Sequence, residues 1–188
     1  MTKNWGTKVS QNFTLFECRF LSWSINQVCI MIKNFPKRPI LNPGGLGSFY
    51  FIPKHEIEKI PRVHKGLAQQ QVVFKNSSFW YTGYASSDSL DFGEKYQTSD
   101  NGGYFDTNID GAFPGDSSEI QDLFKSMGNF TVRYVIVFVD LLGKQRIAGL
   151  DGDLFFTYSY SAKDKRYSYS FEGKCLESAP IYPYTINL

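Results

Sequence analysis

Oxygen-bearing side chains recur at alternate positions in Asp106-Thr-Asn108-Ile-Asp110-Gly111. The first half of an EF-hand loop presents side-chain oxygens to calcium in this way, with a glycine to shape the turn. A helix is expected to follow, as such a loop requires. The twelfth position, however, is Ser117 rather than a bidentate Glu, and Glu119 comes two residues too late. Gly-Gly-Tyr-Phe stands before the motif, where a helix should be. Asx turns with glycine need no metal. The expectation is therefore no cofactor, with calcium at Asp106, Asn108 and Asp110 as the alternative.

Other groups capable of chemistry are scattered. His55 and His64 lie nine residues apart in a Pro-rich stretch and match no zinc spacing. Neither stands near a Gly-x-Ser-x-Gly elbow, and both read as surface residues. Glycosidic chemistry needs two facing carboxylates. The clusters Asp88, Asp91, Glu94 and Asp151, Asp153 read as turn residues instead. Cys18, Cys29 and Cys175 are odd in number and widely spaced, which suits neither a disulfide framework nor a zinc site. No catalytic residue is assigned, and the chain is expected not to be an enzyme.

Composition points the same way. Of 188 residues, 17 are Phe, 12 Tyr and 3 Trp, with only 20% charged and a net charge of +2. Disordered chains are charge-rich and poor in aromatics. So small a net charge is no footprint for sequence-specific nucleic-acid binding. No apolar run approaches the roughly 20 residues of a membrane helix, and no signal-peptide core is visible. Residues 1–30 hold two of the three cysteines and two of the three tryptophans, and their texture changes at Met31. Met31 is a candidate start, with 1–30 an extension of doubtful status. Without Lys3, Lys8, Arg19 and Glu17 the remainder carries 17 basic and 17 acidic residues, and the net charge vanishes.

The elements that would position these groups are mostly strands. Five of eight prolines lie between Pro36 and Pro61, so 31–66 is expected to be an extended Pro/Gly-rich arm with one short strand at Ser48–Ile52. The β-rich domain is then 67–188. Gln71–Lys75 and Ser78–Tyr84 are predicted to form a hairpin around Asn76–Ser77, and Asp88–Gly103 a polar connection. Asp116 with Glu119 makes a capping box. Ile120, Leu123, Phe124 and Met127 form one apolar stripe that stops at Gly128, which predicts a helix over about 117–127. FTVRYVIVFVD at Phe130–Asp140 is apolar on both faces from Tyr134 to Val139 and reads as a central strand. Lys144–Gly149 and Leu154–Ser161 follow.

The last hairpin is specified in register. A loop at Ala162–Lys165 pairs Ser161 with Arg166, which sets Tyr160 opposite Tyr167, Tyr158 opposite Tyr169 and Phe156 opposite Phe171. Each facing aromatic pair adds roughly 0.2–1 kcal/mol beyond an Ala pair. Thr157, Ser159, Ser168 and Ser170 share the other face, which suits water or a polar neighbour. The aromatic face is either core or, because phenols want polar partners, a half-wet interaction surface formed by Phe156, Tyr158, Tyr160, Tyr167, Tyr169 and Phe171.

The order of these elements resembles small virion structural proteins of tailed phages and prophages of Bacteroides-type bacteria. It runs from the helix Ser117–Met127 through FTVRYVIVFVD, LLGKQRIAG, LFFTYSY and YSFEG to a terminal Pro-Ile-Tyr. The resemblance spans residues 104–182 and is one of pattern, with no diagnostic motif. It implies a non-enzymatic tail or neck component, located in the virion or in the host cytoplasm before assembly. Such a component has other virion proteins or its own copies as partners and no membrane. The expected fold is mainly β: a β-sandwich or barrel-like antiparallel meander with one short packed helix and an irregular N-terminal arm. The alternative function is a surface or secreted module that stacks glycans on tyrosines, and the third is a small hydrolase.

Overall fold

Alternating aromatic and β-branched runs pair into antiparallel strands in the computed structural model, which describes residues 45–75, 78–86, 88–186 and 188. The early strands are β1 (Leu46–Pro53), β2 (Ile57–Lys59), β3 (Val63–His64), β4 (Leu67–Ala68), β5 (Val73–Phe74) and β6 (Tyr81–Thr82). A long hairpin follows, β7 (Asp91–Ser99) with β8 (Gly102–Pro114), and then the helix α1 (Ser118–Met127). The chain closes with β9 (Tyr134–Asp140), β10 (Gln145–Ala148), β11 (Asp153–Ser161) and β12 (Arg166–Cys175).

The main strands run β6-β1-β9-β11-β12-β8-β7, with β10 beside β9. A single pair, Leu154 with Tyr134, joins β11 to β9. The sheet therefore divides there into two layers, β6-β1-β9-β10 and β11-β12-β8-β7, which meet face to face. Phe49, Phe51 and Tyr134 of the first layer meet Phe171 of the second at ring-centroid distances of 6.1, 5.7 and 5.3 Å. At the far side Phe92 of β7 stacks on Phe138 of β9 at 4.1 Å. The protein is a mainly-β antiparallel sandwich with one helix, as its sequence pattern indicates.

β9 is the central strand that its two-sided apolar run predicts. Tyr134, Ile136 and Phe138 enter the core between the layers. Val135 and Val137 enter a second core with Ile52, Trp80, Ile147 and Tyr182. The short ladders β2–β5 and β3–β4 and the C-terminal segment bring Ile57, Ala68, Val72 and Tyr182 to that second core.

The helix forms where the apolar stripe places it, but its cap is Ser117 rather than Asp116. The Ser117 hydroxyl accepts from the Ile120 N–H at 3.4 Å. Phe124 and Met127 turn inward while Leu123 stays 47% exposed. The Phe124 ring closes one end of the interlayer space, against Phe113, Phe156, Tyr158, Tyr167 and Tyr169 at 5.2–6.1 Å.

Three expectations are corrected. The segment from Leu46 is no arm: β1 pairs with β9 on one edge and β6 on the other, so the folded unit does not begin at 67. Residues 1–30, the candidate start at Met31 and the rest of the arm through Gly44 lie outside the described residues. The hairpin of Gln71–Lys75 with Ser78–Tyr84 does not form, and Asn76–Ser77 also lies outside the described residues. Val73–Phe74 pairs with β2 and Tyr81–Thr82 with β1, because Val72 and Trp80 are buried in the second core. The polar connection Asp88–Gly103 is largely the strand β7. Its alternation is masked because Asp91, Gly93 and Lys95 face outward while Phe92 and Glu94 face the other layer and Tyr96, on their side, stays 58% exposed.

Truncating the Phe124 plug should cost about 3–5 kcal/mol of unfolding free energy, the range for emptying a core phenylalanine site. Urea titration of Phe124→Ala measures this, with Leu123→Ala on the exposed side of the same helix as a control expected to lose under about 1 kcal/mol.

Candidate functional site

β11 and β12 pair in the register that the sequence specifies: Ser161 with Arg166, Tyr160 with Tyr167, Tyr158 with Tyr169, Phe156 with Phe171. Two of the facing pairs make ring contact, Tyr160–Tyr167 and Phe156–Phe171, each at 4.9 Å. In the middle pair, Tyr158 leans onto Phe124 at 5.7 Å and Tyr169 onto Phe156 at 5.8 Å.

The predicted aromatic interaction surface is mostly core. Phe156, Tyr167, Tyr169 and Phe171 are buried, and only Tyr158 and Tyr160 are exposed, by 38% and 41%. The first layer and the helix cover the stripe from Phe171 to Phe156, which the hairpin's own sequence could not reveal. The phenols find partners as the cover closes. The Tyr169 hydroxyl donates to the Tyr84 carbonyl at 2.7 Å, and the Tyr134 hydroxyl to the Met127 carbonyl at 3.0 Å. Asp116 accepts from both Tyr160 (3.1 Å) and Tyr167 (3.4 Å). The residue read as a helix cap thus clamps the open end of the tyrosine face. Desolvation first, then the Asp116 carboxylate, pushes both of those phenols up. Burial raises Tyr169 further and lifts Tyr134 to about 12, with Glu56 adding to the second.

The EF-hand-like motif lies within the strand β8. Its alternate positions, Asp106, Asn108 and Asp110, line the outer face of the sheet opposite Lys174, Glu172 and Ser170 of β12. Backbone positions two apart on a strand are roughly 6.5 Å apart, and the Asn108 amide donates to the Asp110 carboxylate, so these two side chains bond each other. The motif is part of a strand ladder rather than the loop its spacing suggested. Gly111 serves packing: a Cβ there would collide with the Tyr169 ring and hydroxyl.

Three carboxylates of the two turn clusters, Glu94, Asp151 and Asp153, are engaged by distant parts of the chain. Glu94 accepts from Ser178 Oγ at 2.6 Å and from the Ala179 N–H at 2.8 Å, and Asp151 accepts from the Glu177 N–H at 2.6 Å. Together they hold the turn after β12. Asp153 pairs with Arg133 at 2.9 Å and more loosely with Lys54 at 3.7 Å. Asp88 is an exposed residue in the left-handed region, φ 63°. His55 and His64 are exposed and apart from these groups. Among the described residues no group of three or more His, Cys, Asp or Glu is arranged to hold a metal. The Cys175 thiol is buried and pushed up, chiefly by desolvation, which keeps it in the unreactive thiol form.

Among the open surfaces of the described residues, two differ sharply in character. One is the outer face of β11-β12-β8-β7, a Ser, Thr and Asp lattice with a shallow groove of about 570 Å³ lined by Asp110, Thr157, Ser159, Arg166, Ser168 and Ser170. This is the polar face that the hairpin pattern anticipated. The other is an apolar cleft of about 140 Å³ between α1 and β1, lined by Phe49, Phe51, Leu123 and Phe124. Sequence reasoning missed the cleft, because Leu123 reads as part of the buried stripe. Comparison with known protein families, curated proteins and solved structures finds no match to this chain.

Gly111→Ala should destabilise the fold by about 1–3 kcal/mol, as overpacking does, and lower the melting temperature measured by calorimetry. The buried phenols set an alkaline limit. A phenol whose folded pKa exceeds its unfolded value stabilises fully below about pH 10 and loses that contribution as pH rises through the folded pKa. For Tyr134, held at about 12, this amounts to about 2–3 kcal/mol lost across that window. Titration followed at 295 nm should show a late group of tyrosines that ionise together with loss of the folded circular-dichroism signal.

Proposed function

We propose that this chain is a non-enzymatic structural subunit of a tailed-phage or prophage virion, associated with the tail or neck, which works by self-association and docking to neighbouring subunits. The observation that carries the reading is the uncovered polar face of β11-β12-β8-β7, which ends in the long strand β7 with no partner on its outer edge among the described residues. Open sheet edges are surfaces that natural folds blunt or cover when they have no use for them. The carboxylates that could have served hydrolysis instead tie loops together, which favours a scaffold over a hydrolase. Stacking of glycans on the hairpin's tyrosines loses support, since Tyr167 and Tyr169 are buried and only Tyr158 and Tyr160 remain accessible. Among the described residues no helix is long and apolar enough to cross a membrane.

A subunit of this kind should associate in a concentration-dependent manner. Sedimentation velocity of the full chain from micromolar to near-millimolar concentration should show species larger than the 21.5 kDa monomer. A monomer throughout that range would overturn self-association.

A further inference from the structure

We propose that β7 is a homodimer edge, resting on the self-association reading above. Two copies would pair β7 antiparallel about a two-fold axis normal to the sheet at Gly93, locked by reciprocal Asp91–Lys95 ion pairs. The partner is a second copy of this chain, and the backbone and the charges select the register.

β7 bonds β8 along its whole length, from Asp91 opposite Asp110 to Ser99 opposite Gly102. The two-residue turn Asp100-Asn101 makes Ser99 and Gly102 a hydrogen-bonded pair. In an antiparallel ladder such pairs alternate, so the odd-numbered residues of β7 bond inward and Phe92, Glu94 and Tyr96 turn their peptide groups outward. The Phe92 N–H fits this assignment: it is capped by the neighbouring carboxylate, Asp91 Oδ1, at 2.9 Å. Asp91 thus shields the edge with a group that pairing would displace.

A two-fold axis normal to the sheet keeps the outer face outward on both copies, and registers centred on Phe92, Tyr96 or Gln97 bring no opposite charges together. Centring on Lys95 sets lysine against lysine, and centring on Asp91 sets aspartate against aspartate. Centring on Glu94 opposes two glutamates. Centring on Gly93 places Asp91 opposite the partner's Lys95 and Lys95 opposite the partner's Asp91. Phe92 and Glu94 would then exchange backbone hydrogen bonds with the partner's Glu94 and Phe92.

The outer face continues the pattern. Lys174 lies opposite Asp106, and Asp106 opposite Lys95. The partner's Asp91 would therefore extend a row of alternating sign. Neither Asp91 nor Lys95 has an ion-pair partner among the described residues, and both are exposed. Opposite charges facing across strands stabilise pairing and like charges oppose it.

The test is a charge-swap series on the full chain, read by sedimentation equilibrium. Asp91→Lys and Lys95→Glu should each weaken the dimer by about tenfold or more, since each puts like charges together at both symmetric contacts. An equimolar mixture of the two variants should form a heterodimer, because every contact is then of opposite sign. The double variant Asp91→Lys/Lys95→Asp should recover wild-type association, and high salt should weaken the wild-type dimer. Melting temperatures should stay near wild type, which separates lost pairing from lost folding. If wild type associates but the single variants associate equally well, or the mixture fails to pair, this edge is wrong while self-association stands. If wild type is monomeric throughout, both fall.

Discussion

The fold depends on the aromatic cluster around Phe171 between its layers. Phe171 of β12 meets Phe49 and Phe51 of β1 and Tyr134 of β9, across a sandwich whose two halves share only one strand pair. With so little backbone continuity, side-chain burial must hold the layers together. Ring–ring contacts supply large apolar area per residue and prefer the edge-to-face and offset geometries seen here. The Phe124 plug then closes an end of the space that no strand reaches.

That constraint distributes the polar groups. Phenols drawn inward with their rings must keep their hydroxyls bonded, so Tyr134 and Tyr169 reach carbonyls in the helix end and the β6–β7 connection. Asp116 is left at the mouth to serve two tyrosines, and the helix is capped by its neighbour Ser117. Carboxylates elsewhere satisfy exposed backbone N–H groups at turns. The aromatic inner face therefore leaves the opposite face of the same strands to Ser, Thr, Asp and Lys. That face and its β7 edge stay uncovered among the described residues.

Much of this was legible from local pattern. The hairpin register follows from loop length and facing aromatics, α1 from an apolar stripe of helical spacing, and the central place of β9 from apolar residues on both faces. Where reading failed, a local rule had a rival. Asp116 and Ser117 are adjacent and both good caps, and the choice turned on tyrosines more than forty residues away. Val73–Phe74 and Tyr81–Thr82 look like partners but join β2 and β1. β7 reads as loop because half its residues face water and its glycine and charges dilute the alternation.

By itself the sequence determined which residues share a face and which strands are neighbours through short loops, since the two-residue period and turn geometry are local properties of the chain. Only the tertiary structure decided what covers each face. It buried Phe156, Tyr167, Tyr169 and Phe171, left Tyr158 and Tyr160 at the rim, and laid Asp106, Asn108 and Asp110 along a strand instead of in a loop. The physical reason is that burial is set by elements distant in sequence. An aromatic stripe carries the same pattern whether a helix, a second sheet or water lies against it.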